Sequence, residues 1–255
     1  MSEEVTLTVA DFIGEIVLNR PQKHNAITPK MAAELQTICA AVDRDEAVRV
    51  VLVRGAGERA FSSGSDLNSL AQYPGAWAFR NRVIYENTIR NIKKPVVAAL
   101  KGWVLGGGGE MALAADIRVA GRSVKMGFPE VTRGWVGGGG ASQMLPRLVG
   151  YGQAMRLLLT GEHIGAEEAH RLGLVEVLVD DAEVEARARE ICARIAGFSP
   201  VATQSVKAAV RMALSSALDA GLRYENEMNT LCFSAGDHLE GINAFREGRT
   251  AEFKR

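Results

Sequence analysis

The sequence predicts an α/β fold whose last quarter is all helix. Two continuous apolar runs, "VRVVLVRG" (48–55) and "PVVAAL" (95–100), mark strands covered on both faces. From Glu167 onward the apolar spacing is helical to the end of the chain. At 255 residues and 47% hydrophobic, the chain can bury a sizeable core as one large domain or one domain with an appendage.

The elements follow in order. Val5, Leu7 and Val9 alternate with threonines, a turn covers Asp11 to Gly14, and Ile16 and Leu18 resume the alternation, so a hairpin is expected. Thr28-Pro29 forms an N-cap and first-turn pair. Met31, Leu35, Ile38 and Val42 then repeat at helical spacing. After the 48–55 strand, residues 56–67 read as a Gly/Ser loop, and 68–92 as mixed, mainly helical chain. "DIRVAG" (116–121) is a further strand. Helices are expected over 166–172, closed by Gly173, over 182–197, and over 200–218, opened by Ser199-Pro200. With no low-complexity linker, the boundary is set as a 1–196 body and a 197–255 helical region that packs on the body or on a partner chain.

Composition narrows the function. Thirty basic residues balance thirty acidic ones, which offers no general attraction to nucleic acid or to an anionic membrane. Cys39, Cys192 and Cys232 are odd in number and scattered, and the four histidines do not cluster. A reducing cytosol, without disulfides or a metal site, is expected, and the cysteines read as packing residues. The acidic start "MSEEVTLTV" enters a strand pattern at once and does not read as a leader. The expected location is the cytoplasm of a bacterium.

Two tetraglycine runs, Gly106 to Gly109 and Gly137 to Gly140, fit neither a phosphate loop nor a dinucleotide fingerprint. Glycine instead lets another molecule approach bare backbone amides. At a helix start those amides have no partner in the helix, and the dipole favours negative charge. A developing oxyanion could be held there, with a second amide from the turn in "GERAFSSGSDL" (57–67). Glu110 lies just inside that helix start, where the dipole favours the carboxylate. Glu130, in "MGFPEV", lies among apolar residues, where desolvation favours the acid. Two carboxyls in contrasting settings suit paired acid–base chemistry. Tight helix–strand packing and a solvated glutamate are the plainer readings of the same residues.

Taken together, "NRPQKHNAIT", "AFSSGSDL", "KKPVVAALKGWVLGGGGEMALAADIRVA", "MGFPEV" and "LLLTGEHIGAEEAHRLGLVEVL" resemble the crotonase superfamily of enoyl-CoA hydratases and isomerases. The resemblance runs from about residue 5 to residue 253. It implies a superhelix of repeated ββα units and a C-terminal helical region that forms trimers, or hexamers as dimers of trimers. It also implies an acyl-CoA thioester as substrate, with no metal or redox cofactor and coenzyme A as part of the substrate.

By the same resemblance the thioester carbonyl sits between the amides of Ser65 and Gly107. Glu110 and Glu130 match the two catalytic glutamates of the hydratases, which implies syn addition of water to a trans-2-enoyl-CoA. Lys23, near Arg20 and His24, matches a CoA-phosphate position, while Arg54 and Arg59 either contribute or are surface charges. Ala60 to Ser63 line the adenine and pantetheine path. Ala26, Asp66, Leu67 and Gly106 complete the implied substrate contacts. Phe253 and Lys254 match a tail that closes over CoA, in some relatives from a neighbouring subunit. Gly137 replaces a common proline, which would leave the 137–140 turn unusually free. Trp135, with Trp103 and Tyr73 or Trp77, shapes an acyl pocket or belongs to the core. His163 and His170 are expected in structural or surface roles. An isomerase, another acyl-CoA lyase or hydrolase, and a non-catalytic binding protein remain alternatives.

Overall fold

The computed structural model describes residues 3–253. The expected hairpin forms from β1 (Val5–Ala10) and β2 (Ile13–Leu18), antiparallel, with Asp11 and Phe12 turning at positive φ. Helix α1 (Pro29–Arg44) starts where the Thr28 hydroxyl accepts the Met31 amide at 3.1 Å. It buries Met31, Leu35, Cys39 and Val42 along one stripe, each large side chain contributing about 2 kcal/mol of transfer free energy.

Two-strand units then repeat. Strands β3 (Val50–Gly55) and β4 (Ala60–Ser62) precede the short helices α2 (Leu67–Leu70), α3 (Ala76–Arg80) and α4 (Tyr85–Arg90). Strands β5 (Val96–Leu100) and β6 (Trp103–Leu105) precede α5 (Gly107–Ala114). Strands β7 (Ile117–Gly121) and β8 (Lys125–Gly127) lead to a 3₁₀ turn over Pro129–Arg133 and to α6 (Ala141–Thr160), which breaks at Gly150 (φ 77°). Then come β9 (His163–Gly165), α7 (Ala166–Arg171), β10 (Val177–Val179) and α8 (Val184–Ala196).

The first strand of each pair joins one sheet, in the order β1-β2-β3-β5-β7-β10, parallel from β2 onward. The second joins a smaller sheet, β4-β6-β8-β9. Fully covered central strands account for the continuous apolar runs. Val51, Val53, Val96 and Ala98 face α1 and α5, while Val50, Leu52, Val97 and Ala99 face α8.

The 56–67 loop of the sequence reading is corrected by β4, whose three residues are all buried. The helix expected over 200–218 is α9 (Pro200–Ala213), which ends five residues early, and the helical tail continues as α10 (Leu218–Ala235) and α11 (Asp237–Glu247). Ser199 caps α9 as expected, its hydroxyl accepting the Ala202 amide at 3.1 Å. Polar side chains fasten α9 to the body, for Lys207 Nζ donates to the Lys94 carbonyl at 2.7 Å and pairs with Asp116 at 2.6 Å. Burial pulls that ammonium down to about 8 against the opposing pull of Asp116. Helix α10 buries no residue and α11 only Ala244.

Candidate active site

The start of α5 is built by backbone packed on backbone. Gly106, the N-cap, has φ 54° and donates its amide to the Gly127 carbonyl at 2.9 Å. At Gly108 a Cβ would overlap the Ser62 carbonyl, and at Gly109 it would lie 2.8 Å from the Phe128 ring. At Gly107 it would collide with the Tyr85 hydroxyl. Protein atoms therefore occupy the room left by three of the four glycines. Gly106 faces Glu130, whose Oε1 would be 3.2 Å from a Cβ there.

A second turn closes on this start. Gly64, at φ 86°, would put a Cβ 2.9 Å from the Gly107 amide nitrogen, so Ser65 and Gly107 are neighbours. Ile27 pairs with this turn, its amide donating to the Gly64 carbonyl at 2.8 Å and its carbonyl accepting the Asp66 amide at 2.9 Å. That pattern leaves the Ser65 amide outside the bridge. Fully buried Asn25 is the clasp, which the motif reading did not single out. Its amide group donates to the carbonyls of Ala56 and Ala60, and its Oδ1 accepts the Arg20 amide.

Glu110, only 2% exposed, turns its Oε1 to two backbone donors, Gly139 and Ala141, both at 2.9 Å. Gly137 is held to the same oxygen, since a Cβ there would lie 2.6 Å from it. The 137–140 turn is thus tied to a carboxylate, which corrects the expectation of an unusually free loop. Glu130, half-buried in the 3₁₀ turn, is raised above the ordinary carboxyl range. Burial is the main cause and the Glu110 charge adds to it, against its own amide and Arg133.

A third carboxyl, absent from the sequence reading, completes the group. Glu86 of α4 is 5% exposed and is raised to about 8, first by burial and then by Glu110. Its neighbour Tyr85 bonds to it and, at 3.0 Å, to the Ser65 hydroxyl. Burial holds the Tyr85 phenol far up in its neutral form.

The other candidates divide. Ala26, Ala60 and Ser63 lie along the clasped segments, the Ser63 amide donating to the His24 carbonyl at 3.0 Å, and Lys23 is exposed beside them. Asp66 caps α2 through the Ser69 amide and accepts from Arg20. Burial opposes its charge, but those two partners keep it below the usual range. It is thus engaged in holding the turn. Leu67 beside it is exposed. Trp135 lies edge-on to Phe79 at 5.3 Å, and Phe79 meets Tyr73 in the same way at 5.5 Å. Arg82 stacks on Phe79 at 3.8 Å, so these rings form a cover beside the 137–140 turn. Trp77 is exposed on that cover.

Trp103 instead packs on His163 and Lys125 in the smaller sheet, away from this cover, which corrects its candidacy for an acyl pocket. Arg54 is taken up by Glu15 at 2.6 Å. The Phe253 carbonyl accepts from Arg49 just before β3, at the end opposite Gly55, so Phe253 lies away from its own chain's site. Lys254 lies outside the described residues. His170 bonds the Val175 carbonyl at 2.9 Å, a structural role as expected. Burial pushes the Cys39 and Cys192 thiols up to about 12, in keeping with packing.

Comparison with known proteins agrees with this arrangement. The family model for enoyl-CoA hydratase/isomerase matches residues 9–255. A short-chain-enoyl-CoA hydratase of Clostridium acetobutylicum is 34% identical, over 94% of this chain and 93% of the relative. The 2,3-dehydroadipyl-CoA hydratase of Escherichia coli is 36% identical over 94% of each. The crystal structure of an enoyl-CoA hydratase from Bacillus anthracis superposes with a TM-score of 0.94, at 34% identity and 99% coverage of both chains. The chain belongs to the enoyl-CoA hydratase/isomerase family and has the crotonase fold.

Proposed function

We propose that, within the enoyl-CoA hydratase/isomerase family, this chain is a hydratase that adds water reversibly and syn to a trans-2-enoyl-CoA. The observation that carries this reading is the pairing of Glu110 with Glu130, which faces Gly106 and feels the Glu110 charge. One carboxyl faces two backbone donors, and the other is pushed toward its acid form. An isomerase needs one proton shuttle, whereas hydration needs a base for water and an acid for carbon. The hydratases among its relatives support the same choice.

In this mechanism the thioester oxygen lies between the amides of Ser65 and Gly107, which take up its enolate-like charge. Glu110 removes a proton from water as the oxygen bonds to C3. The C2–C3 π electrons move toward the thioester, and Glu130 gives its proton to C2. Proton transfer from Glu110 to Glu130 through a following water resets the pair. The oxygen and one hydrogen of the water end in the 3-hydroxyacyl-CoA, and its other proton replaces the one that Glu130 gave to C2.

Lys23 and the 20–26 segment meet the CoA phosphates, with Ala60 to Ser63 along the pantetheine path and Leu67 and Trp135 toward the acyl group. The C-terminal helices assemble three copies or two trimers. In support, Val206, Val210, Leu214, Leu218 and Leu222 are more than half exposed in one chain. A cavity of about 1040 Å³ between α9 and the body is lined mainly by apolar surface, and neither Glu110 nor Glu130 lines it. Phe253 and Lys254 then close over CoA from a neighbouring copy.

Incubation with crotonyl-CoA and, separately, 3-butenoyl-CoA, followed by chromatographic separation and mass analysis of the thioesters, separates the two readings. Hydration yields 3-hydroxybutanoyl-CoA from crotonyl-CoA. Interconversion of the two substrates without water gain would instead make the chain an isomerase.

A further inference from the structure

We propose, building on the hydratase reading, that Glu86 is a third functional carboxyl of the site, a positioning residue that joins the oxyanion-hole turn to the turn holding Glu110. Its seat is prepared by two glycines from different elements. At Gly139 a Cβ would overlap the Glu86 carboxyl group and lie 2.7 Å from the Glu86 Cβ. At Gly107 it would lie 2.7 Å from Glu86 Oε1. Glu86 thus fills the space between the two amide-bearing turns that the mechanism uses. Through Tyr85 it reaches the Ser65 hydroxyl, and across Gly139 it adjoins the amide that Glu110 accepts.

The charge state of Glu86 then matters to both turns. Glu110 on α5 opposes its ionisation, while Tyr85 on its own helix and Arg82 in the segment before that helix favour it. The 137–140 turn on its third side carries no ionisable side chain. As a neutral acid Glu86 sits beside Glu110 without repelling it. Ionised, it would set a second negative charge across Gly139 from Glu110 and another beside Gly107, where charge develops on the thioester oxygen. Both effects raise the barrier to hydration, so turnover falls as Glu86 loses its proton.

The test measures kcat and KM for crotonyl-CoA from about pH 6 to about pH 9.5, with unfolding temperatures, for wild type, Glu86→Gln and Glu86→Leu. Wild-type kcat is expected to fall on the alkaline side with an apparent pKa near 8 while KM holds steady. Glu86→Leu loses about tenfold in kcat, and Glu86→Gln recovers most of that loss and lacks the fall near 8, any alkaline fall left being that of the acid Glu130.

The folded protein holds a proton on Glu86 that the unfolded chain releases at lower pH. Glu86 therefore stabilises the fold fully below the ordinary carboxyl range and loses that contribution as pH rises toward 8. Wild type should accordingly lose unfolding temperature relative to Glu86→Gln over that window. The fall near 8 retained unchanged in Glu86→Gln, or full kcat in Glu86→Leu, would overturn the proposal. If wild type does not hydrate crotonyl-CoA, the hydratase reading fails by itself. Glu86 is then judged on unfolding alone, and parallel curves for wild type and Glu86→Gln would reject it.

Discussion

Gly106 to Gly109 and Gly137 to Gly140 are the same four letters, yet different neighbours take the space each run leaves. Around Gly107, Gly108 and Gly109 the missing side chains make way for Tyr85, Ser62 and Phe128, so a helix start can lie directly on β4 and β8. Around Gly137, Gly138 and Gly139 the neighbours are Glu110, Arg82 and Glu86. The first run makes room mainly for a strand carbonyl and two aromatic side chains. The second forms a seat for charged groups, whose carboxyls its amides and its open space hold in place. A glycine run therefore reports only that something comes close, and the partner decides what the closeness is for.

Substitutions separate the two uses. Gly108→Ala has the largest expected effect, because its new methyl meets the Ser62 backbone 2.7 Å away at the carbonyl carbon and the nearer carbonyl oxygen, neither of which can swing aside. A loss of about 3 kcal/mol, or roughly 10 °C in Tm, is expected for this overpacking. An unchanged melting curve would show that the first run tolerates side chains.

Gly139→Ala comes next, with a smaller effect on stability and a clear one on rate. Its methyl meets the Glu86 side chain, which can move at the cost of its place beside Glu110. A fall in kcat of about tenfold is expected, with strong non-additivity when combined with Glu86→Ala, since the double variant removes the overlap with the Glu86 carboxyl group and leaves only the contact with its Cβ. Simple additivity of the two changes would dissolve the distinction between the runs.

Much of the fold was legible because its signals are local. Thr28-Pro29 caps α1, Ser199-Pro200 opens α9, and the alternation around Asp11 and Phe12 makes the hairpin. The desolvated setting of Glu130 was also readable, from its apolar neighbourhood. Strand β4 was not, because three residues between Gly57 and Gly64 are too few for periodicity to register. Glu86 escaped for a different reason. It lies in a stretch with mixed patterning, and the groups that define it, Gly107, Glu110 and Gly139, are 21 to 53 residues away in sequence. Trp103 and Arg54 stayed open because residue type alone does not say which sheet or which carboxylate a side chain meets.

The most direct measurement is the rate of crotonyl-CoA hydration by Glu110→Gln and Glu130→Gln, with unfolding curves to show that both remain folded. The paired-carboxyl account predicts that each variant, taken alone, loses at least about a hundredfold in kcat while acyl-CoA binding persists. Near wild-type turnover in either folded variant would contradict it.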